Sequence, residues 1–373
     1  EIDCHGGVFV VKRILETVIK NGARPAEPGE FTKRAFLNGR MDLSQAEAVI
    51  DVINSKNEYA LKSSVSQLKG NVQKKIKEIR EEIIYHTAFI ETALDDPEHI
   101  SVDGYGEELK ITVDKLLVEL DELLKSSDNG RIIKEGIKTV IVGKPNAGKS
   151  SLLNVLVGED RAIVTDIAGT TRDVLEESIQ LQGISLNIMD TAGIRDTDDI
   201  VEKIGVDKAK AHANEADLII YVVDASRDLD ENDFDIIDMI QNKKAVILLN
   251  KSDLDTVVTK DMIKLHVDKP MIEISAKEES GIKELEETLK NMFFHGEISF
   301  NDEVYITNIR HKTAIKDAYD SLEKVIVSIE NDMPEDFYSI DLLDAYESLG
   351  SITGETIGED LVNEIFSKFC MGK

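Results

Sequence analysis

The chain has 373 residues, more than one ordinary hydrophobic core accommodates, so two or three domains are expected. With 73 acidic against 44 basic residues its formal net charge is −29, which excludes a grip on nucleic acid through the overall field and leaves any RNA role to a local basic patch or a basic partner. Cys4 and Cys370 make neither a disulfide framework nor a zinc spacing and suit a reducing cytoplasm, and no apolar run approaches the length of a membrane span.

The chain opens at Glu1, without a methionine and in mid-pattern, and is expected to be a piece of a longer protein; no signal peptide is visible. Asp3-Cys4-His5-Gly6-Gly7 reads as a turn, with His5 a turn or core histidine, and Val10, Ile14, Leu15 and Val18 then mark an apolar-periodic helix. From Asp42 the code is helical, and Ser44-Gln45-Ala46-Glu47 offers an S-x-x-E capping box. A proline-free stretch over 57–94 puts Leu61, Val65, Leu68, Val72, Ile76, Ile79 and Ile83 on one face of a single long helix. Lys69, Lys74, Lys75, Lys77 and Arg80 cluster on it and read as a solvated helix face. After Pro97 the pattern returns over 109–124, and the polar residues 125–130 read as a connection.

Between Gly136 and about Phe294 strands alternate with helices, as in a doubly wound, mostly parallel sheet. Strands are predicted at 137–142, 186–189, 218–223, 245–249 and 271–274, all rich in Ile, Val and Leu as strands buried on both faces must be. Helices are predicted again at 306–329, 340–349 and 359–369. The fold class is therefore an α/β P-loop domain inserted into a discontinuous all-α domain, with boundaries at 39–135 and 298–373 for the helical parts, 136–297 for the inserted domain, and 1–38 as the tail of a further domain.

The inserted domain carries the chemistry. Gly143-Lys144-Pro145-Asn146-Ala147-Gly148-Lys149-Ser150 matches G-x-x-x-x-G-K-[ST] between a strand and a helix, so that converging N–H groups and a helix N-terminus can meet a phosphate chain. Lys149 would reach the outer phosphates, Ser150 would hold Mg²⁺, and Ser151 follows at the helix start. Asp190-Thr191-Ala192-Gly193 would sit beside metal and terminal phosphate. Asn250-Lys251-Ser252-Asp253 supplies a carboxylate that can accept from guanine N1–H and the amino group, a pair adenine lacks. Ser275-Ala276-Lys277 then places a backbone N–H near the guanine oxygen, and the ordered set selects GTP.

Hydrolysis needs an oriented water and a positive charge. Ile194 stands where Ras-like proteins have glutamine, so the acidic stretch 195–203 supplies the candidates, Arg195 and Glu202 among them; a surface carboxylate is the alternative reading of Glu202. Thr171 would bind Mg²⁺, and Asn146 with the loop of Thr165, Asp166, Ile167, Ala168, Gly169 and Thr170 could hold a monovalent cation where other GTPases place an arginine finger.

At this point the chain resembles the MnmE (TrmE) family of tRNA-modification GTPases, of the TrmE-Era-EngA-YihA-Septin-like class. The resemblance rests on Cys4-His5-Gly6-Gly7, on the run Pro28 to Gly39, on Asp42 to Ala48, on the GTPase motifs, and on the terminal Phe369-Cys370-Met371-Gly372-Lys373, a C-[ILM]-G-K ending absent from related GTPases such as Era and Der. It implies that 1–38 is the remnant of an α+β folate-binding and dimerisation domain. It implies a K⁺-stimulated GTPase and homodimer that works with an FAD-dependent partner, MnmG, to add an aminomethyl or carboxymethylaminomethyl group to C5 of the tRNA wobble uridine. A 5-formyl- or methylene-tetrahydrofolate would donate the carbon, and the partner would hold most of the tRNA. Asn146, Thr165, Ile167 and Thr170 would bind K⁺, Ser150 and Thr171 Mg²⁺, and Glu202 would order the attacking water through a bridging water. Glu1, Arg40 and Lys373 would contact the folate, and Cys370 is either a reactive thiol or a small buried residue. The rival expectation is a GTP-controlled switch in ribosome assembly without modification chemistry.

Overall fold

The structure, a computed structural model, describes residues 2–102, 104–161, 177–181, 183–189, 213–294, 304–356, 358–367 and 369. In chain order the first helices are α1 (Val8–Lys20), α2 (Glu30–Leu37), α3 (Leu43–Ile53), α4 (Glu58–Leu68), α5 (Asn71–Asp95) and α6 (Tyr105–Glu135). There follow β1 (Ile137–Val142), α7 (Lys149–Arg161), β2 (Glu177–Leu181), β3 (Ile184–Ile188), β4 (Leu218–Asp224), α8 (Glu231–Ile240), β5 (Ala245–Asn250), α9 (Lys260–Lys264), β6 (Met271–Glu273) and α10 (Ile282–Phe294). The chain closes with α11 (Ile309–Glu330), α12 (Glu335–Thr353) and α13 (Glu359–Ser367). Two compact units result: Glu1–Asn54 with Ser63–Leu124 and Ile309–Lys373, and Ser55–Lys62 with Lys125–Asn308. Among the described residues no helix is long and apolar enough to cross a membrane.

The first unit is helical. α3 opens with a capping box, but its N-cap is Asp42 and its N3 residue Gln45, not the predicted Ser44 and Glu47. Asp42 Oδ1 accepts the Gln45 N–H at 2.8 Å, and the freed Ser44 hydroxyl donates to the same oxygen at 2.7 Å. The single helix predicted over 57–94 is two, because Gly70 adopts a left-handed φ of 89° that ends one helix and starts the next. The break also resets the buried face: Val72, Ile76, Ile79 and Ile83 are buried in α5, while Leu61 is exposed and Ser63, Ser64 and Gln67 are buried in α4. Of the basic cluster, Lys74 and Lys77 pair with Glu78 and Glu81 one turn away as solvated helix faces do, whereas Arg80 is buried against Glu355 and the Tyr346 ring. α1 forms where the periodicity places it, with no residue buried.

The second unit is a six-stranded sheet in the order β2-β3-β1-β4-β5-β6, parallel except for β2. Each predicted strand is present, to within two residues at either end. The unpredicted β2 is an edge strand in which only Ile179 and Leu181 are apolar, alternating with polar residues, so it lacks the continuous apolar run of its neighbours. Alternation splits the core in two: Ile141, Val222 and Leu248 pack with Leu152 and Leu156 of α7 and Leu285 and Leu289 of α10, while Val142, Tyr221 and Leu249 pack with Ile237 of α8 and Ile263 of α9. The polar residues 125–130, predicted as a connection, are helical and belong to α6. Gly130 is there for contact: a Cβ on it would collide with the Ile306 carbonyl.

Candidate nucleotide-binding site

The register of the sheet sets the site. Val142 pairs with Tyr221, and Asp224 with Asn250, so the carboxyl ends of β1, β4 and β5 lie together, where doubly wound sheets bind ligands. The loop 143–148 leaves β1 and feeds α7, and two of its glycines are required by close approach. A Cβ at Gly143 would collide with the Val222 carbonyl, and one at Gly148, whose φ is 98°, would collide with Asn250 Nδ2. Asn146 stands at φ 63°, a left-handed conformation that asparagine tolerates better than most residues. Lys149 Nζ curls back to donate to the carbonyls of Gly143 and Lys144, both at 2.7 Å. Burial pushes its pKa below the ordinary lysine value, so an anion brought to this loop would restore the ammonium's preferred charge balance.

Asn250 joins the loops. Its Nδ2 donates to the Ala147 carbonyl at 2.8 Å, and its Oδ1 accepts the Ala276 N–H at 3.1 Å. Three residues on, Asp253 Oδ1 accepts from the buried Ser275 hydroxyl at 2.7 Å, which holds the carboxyl below its ordinary value and keeps it a pure acceptor. The Ser275–Ser280 bridge, with N–H to carbonyl distances of 3.3 and 3.1 Å, stiffens the loop that presents Ala276. Lys251, at φ 66°, places Nζ 2.6 Å from Asp224 Oδ2. Burial pushes Asp224 up, but Lys251 and the Ser226 hydroxyl and N–H outweigh it and leave the carboxyl below its usual range.

Asn146, Ala147, Gly148, Lys149, Ser150, Asn250, Lys251, Asp253, Ser275 and Ala276 are thus gathered at one end of the sheet, with Ser151 and Lys277 exposed beside them. Arg40 is exposed in the helical unit, where its N–H closes the end of α2 on the Ala35 carbonyl at 2.9 Å. Thr165, Asp166, Ile167, Ala168, Gly169, Thr170, Thr171, Asp190, Thr191, Ala192, Gly193, Arg195, Glu202, Glu1, Cys370 and Lys373 lie outside the described residues. Among the described residues no group of three His, Cys, Asp or Glu side chains could hold a metal ion.

Two parts of the site escape sequence reasoning. Asp224 is the polar end of an otherwise apolar strand, a weak signal in the run from Leu218. Lys144, inside the phosphate motif, is paired by Asp230 and Asp233, and nothing in the motif spacing points to that pairing.

Comparison with known proteins accords with this geometry. A family model described as the MnmE helical domain matches residues 43–370, and one described as the GTP-binding protein TrmE N-terminus matches residues 1–40. The tRNA modification GTPase MnmE of Lachnoclostridium phytofermentans is 63% identical over 373 residues, covering 100% of this chain and 81% of its own. Its namesakes from Acetivibrio thermocellus and Clostridioides difficile are 53% and 49% identical over 374 residues, each covering 100% of this chain and 82% of their own. The solved structure of Aquifex aeolicus Era bound to GDP·AlF4⁻ matches 50% of this chain and 66% of its own at 25% identity, with a TM-score of 0.32, too low to carry weight. The match of residues 43–370 and the identity held along the whole chain establish that this protein belongs to the MnmE family of tRNA-modification GTPases.

Proposed function

We propose that this chain hydrolyses GTP at the Gly143–Ser150 loop and couples that hydrolysis to modification of a tRNA wobble uridine. Acting as a homodimer with an FAD-dependent partner of the MnmG type, it adds an aminomethyl or carboxymethylaminomethyl group at C5 with a tetrahydrofolate derivative as carbon donor. The observation that carries the GTP reading is the convergence on Asn250 of the phosphate loop, through Ala147, and of the Ala276 loop beside Asp253. Mg²⁺ would rest on Ser150 and Thr171 with nucleotide oxygens, and K⁺ on Asn146 with Thr165, Ile167 and Thr170. Glu202 would order the attacking water, with Arg195 in the same segment. Glu1, Arg40 and Lys373 would bind folate, and Cys370 would act as a thiol. Glu202 and the bound cations would orient a water and offset developing charge.

The test is nucleoside mass spectrometry on tRNA from a strain lacking the gene. The modified wobble uridine should vanish, return with the wild-type gene, and stay absent with the Asp253→Asn variant. Unchanged tRNA in the deletion strain would overturn the modification reading and favour a switch without such chemistry.

A further inference from the structure

The phosphate loop holds a second cation, and its ammonium is committed elsewhere. Lys144 Nζ lies 2.6 Å from Asp233 Oδ2 and 2.9 Å from Asp230 Oδ2. Asp233 is the third residue of α8, with a side chain only 2% exposed. Both of its oxygens are engaged: the hydroxyl of the fully buried Tyr221 donates to Oδ1 at 2.8 Å, and the Asp230 N–H donates to Oδ2 at 3.0 Å. A buried ion pair is a poor way to stabilise a fold, since desolvation offsets most of its attraction and apolar side chains of similar size often do as well. Nor does α8 need the cation, because its capping box is complete with Asp230 and Asp233 alone.

What the network adds is an attachment for the loop. The Lys144 carbonyl also takes the Lys149 ammonium at 2.7 Å and the Ala147 N–H at 3.2 Å, so the side chain and the main chain of one residue are both pinned. Two residues later Asn146 adopts its left-handed φ of 63°, a path that a residue bearing a Cβ keeps only where its surroundings hold it. A loop free to leave that path would have to be ordered by its ligand, at an entropic cost for each residue fixed. Held beforehand, it binds without that cost.

We propose that Asp233, supported by Tyr221, is a positioning residue for the nucleotide: by holding Lys144 it keeps the Gly143–Asn146 half of the phosphate loop in its binding path before GTP arrives. This rests on the GTPase reading above.

The test compares the full chain with its Asp233→Asn and Lys144→Met variants and the double variant, measuring the dissociation constant of a fluorescent GTP analogue, KM and kcat, and the thermal midpoint. Lys144→Met leaves the buried Asp233 carboxylate without its cation, and Asp233→Asn leaves Lys144 with Asp230 alone; the double variant removes both ends of the buried pair and leaves only the exposed Asp230 carboxylate without its lysine. Asp233→Asn and the double variant should bind the analogue about tenfold more weakly, with KM rising in step and kcat at saturating GTP falling less than about twofold. The double variant should regain the wild-type thermal midpoint but not the affinity. Affinity that recovers together with the midpoint would make the network merely structural and overturn the proposal, as would an Asp233→Asn chain that binds as tightly as wild type. A wild-type chain that fails to bind the analogue would instead sink the GTPase reading.

Discussion

Asn250 holds Ala147: its buried carboxamide donates to the Ala147 carbonyl at 2.8 Å across 103 residues of sequence, while its oxygen takes the Ala276 N–H at 3.1 Å. One side chain at the end of β5 therefore sets the spacing between the phosphate loop and the loop beside Asp253. Because both partners are main-chain groups of buried residues, breaking the link strands polar groups away from solvent.

Asn250→Ala should destabilise the chain by about 1–3 kcal/mol, the penalty for stranding a buried polar group, and should weaken GTP binding as well. Urea unfolding and nucleotide titration check the two effects. A variant with wild-type midpoint and affinity would show that the bridge does not hold the loops.

Gly148→Ala tests the close approach from the other side. The new Cβ meets Asn250 Nδ2 and sits at φ 98°, so the loop must shift or the Asn250 bridge must open. We expect a folded chain whose GTP affinity falls by about tenfold or more, equivalent to at least about 1.4 kcal/mol. Circular dichroism verifies the fold, and unchanged affinity would mean that the glycine is there for reasons other than contact.

GTP turnover should be faster in K⁺ than in Na⁺ buffer, and Asn146→Ala should erase that difference. Asn146 is exposed in the phosphate loop and carries a carbonyl-type oxygen of the kind hard cations prefer. Steady-state rates in the two salts decide the matter; equal wild-type rates would reject the cation assignment.

The helical unit should carry an acid-sensitive joint at Glu47. Burial pushes this carboxyl up, but the bonds from His311 Nε2 at 2.8 Å and from Arg310 Nε and Nη2 at 3.1 and 2.8 Å outweigh it and hold the group at about 2. A folded value below the ordinary 4.5 means that the stability is complete above about 4.5 and is lost as pH falls towards 2, a contribution on the order of 3 kcal/mol. Glu47→Gln should lower stability at pH 7 and flatten its fall between those limits in chemical unfolding at a series of pH values. Parallel wild-type and variant curves would remove the assignment.

Local chemistry alone was enough to place the sheet and most of the described site. A strand buried on both faces must be a continuous apolar run, which is why the run from Ala245 announced β5. A phosphate loop must carry glycine where backbone crowds backbone, as Gly143 and Gly148 do, and Asn250, Asp253 and Ala276 stand at strand ends where their motifs place them. Tertiary structure decided the rest, wherever a group had two local options or a distant partner. Glu47 satisfies the spacing of a capping box, yet Arg310, 263 residues away, takes its carboxylate and leaves the cap to Asp42. Gly70 breaks a helix that apolar periodicity carries straight through, and Ile306 demands a glycine inside a helix that composition reads as a connection. Lys144 stands inside the phosphate motif, yet its ammonium is held by Asp233 and Asp230, residues that the motif spacing does not reach. Spacing along the chain reports what the neighbouring backbone can adopt; which buried charge meets which partner depends on desolvation and on contacts that only the folded chain brings together.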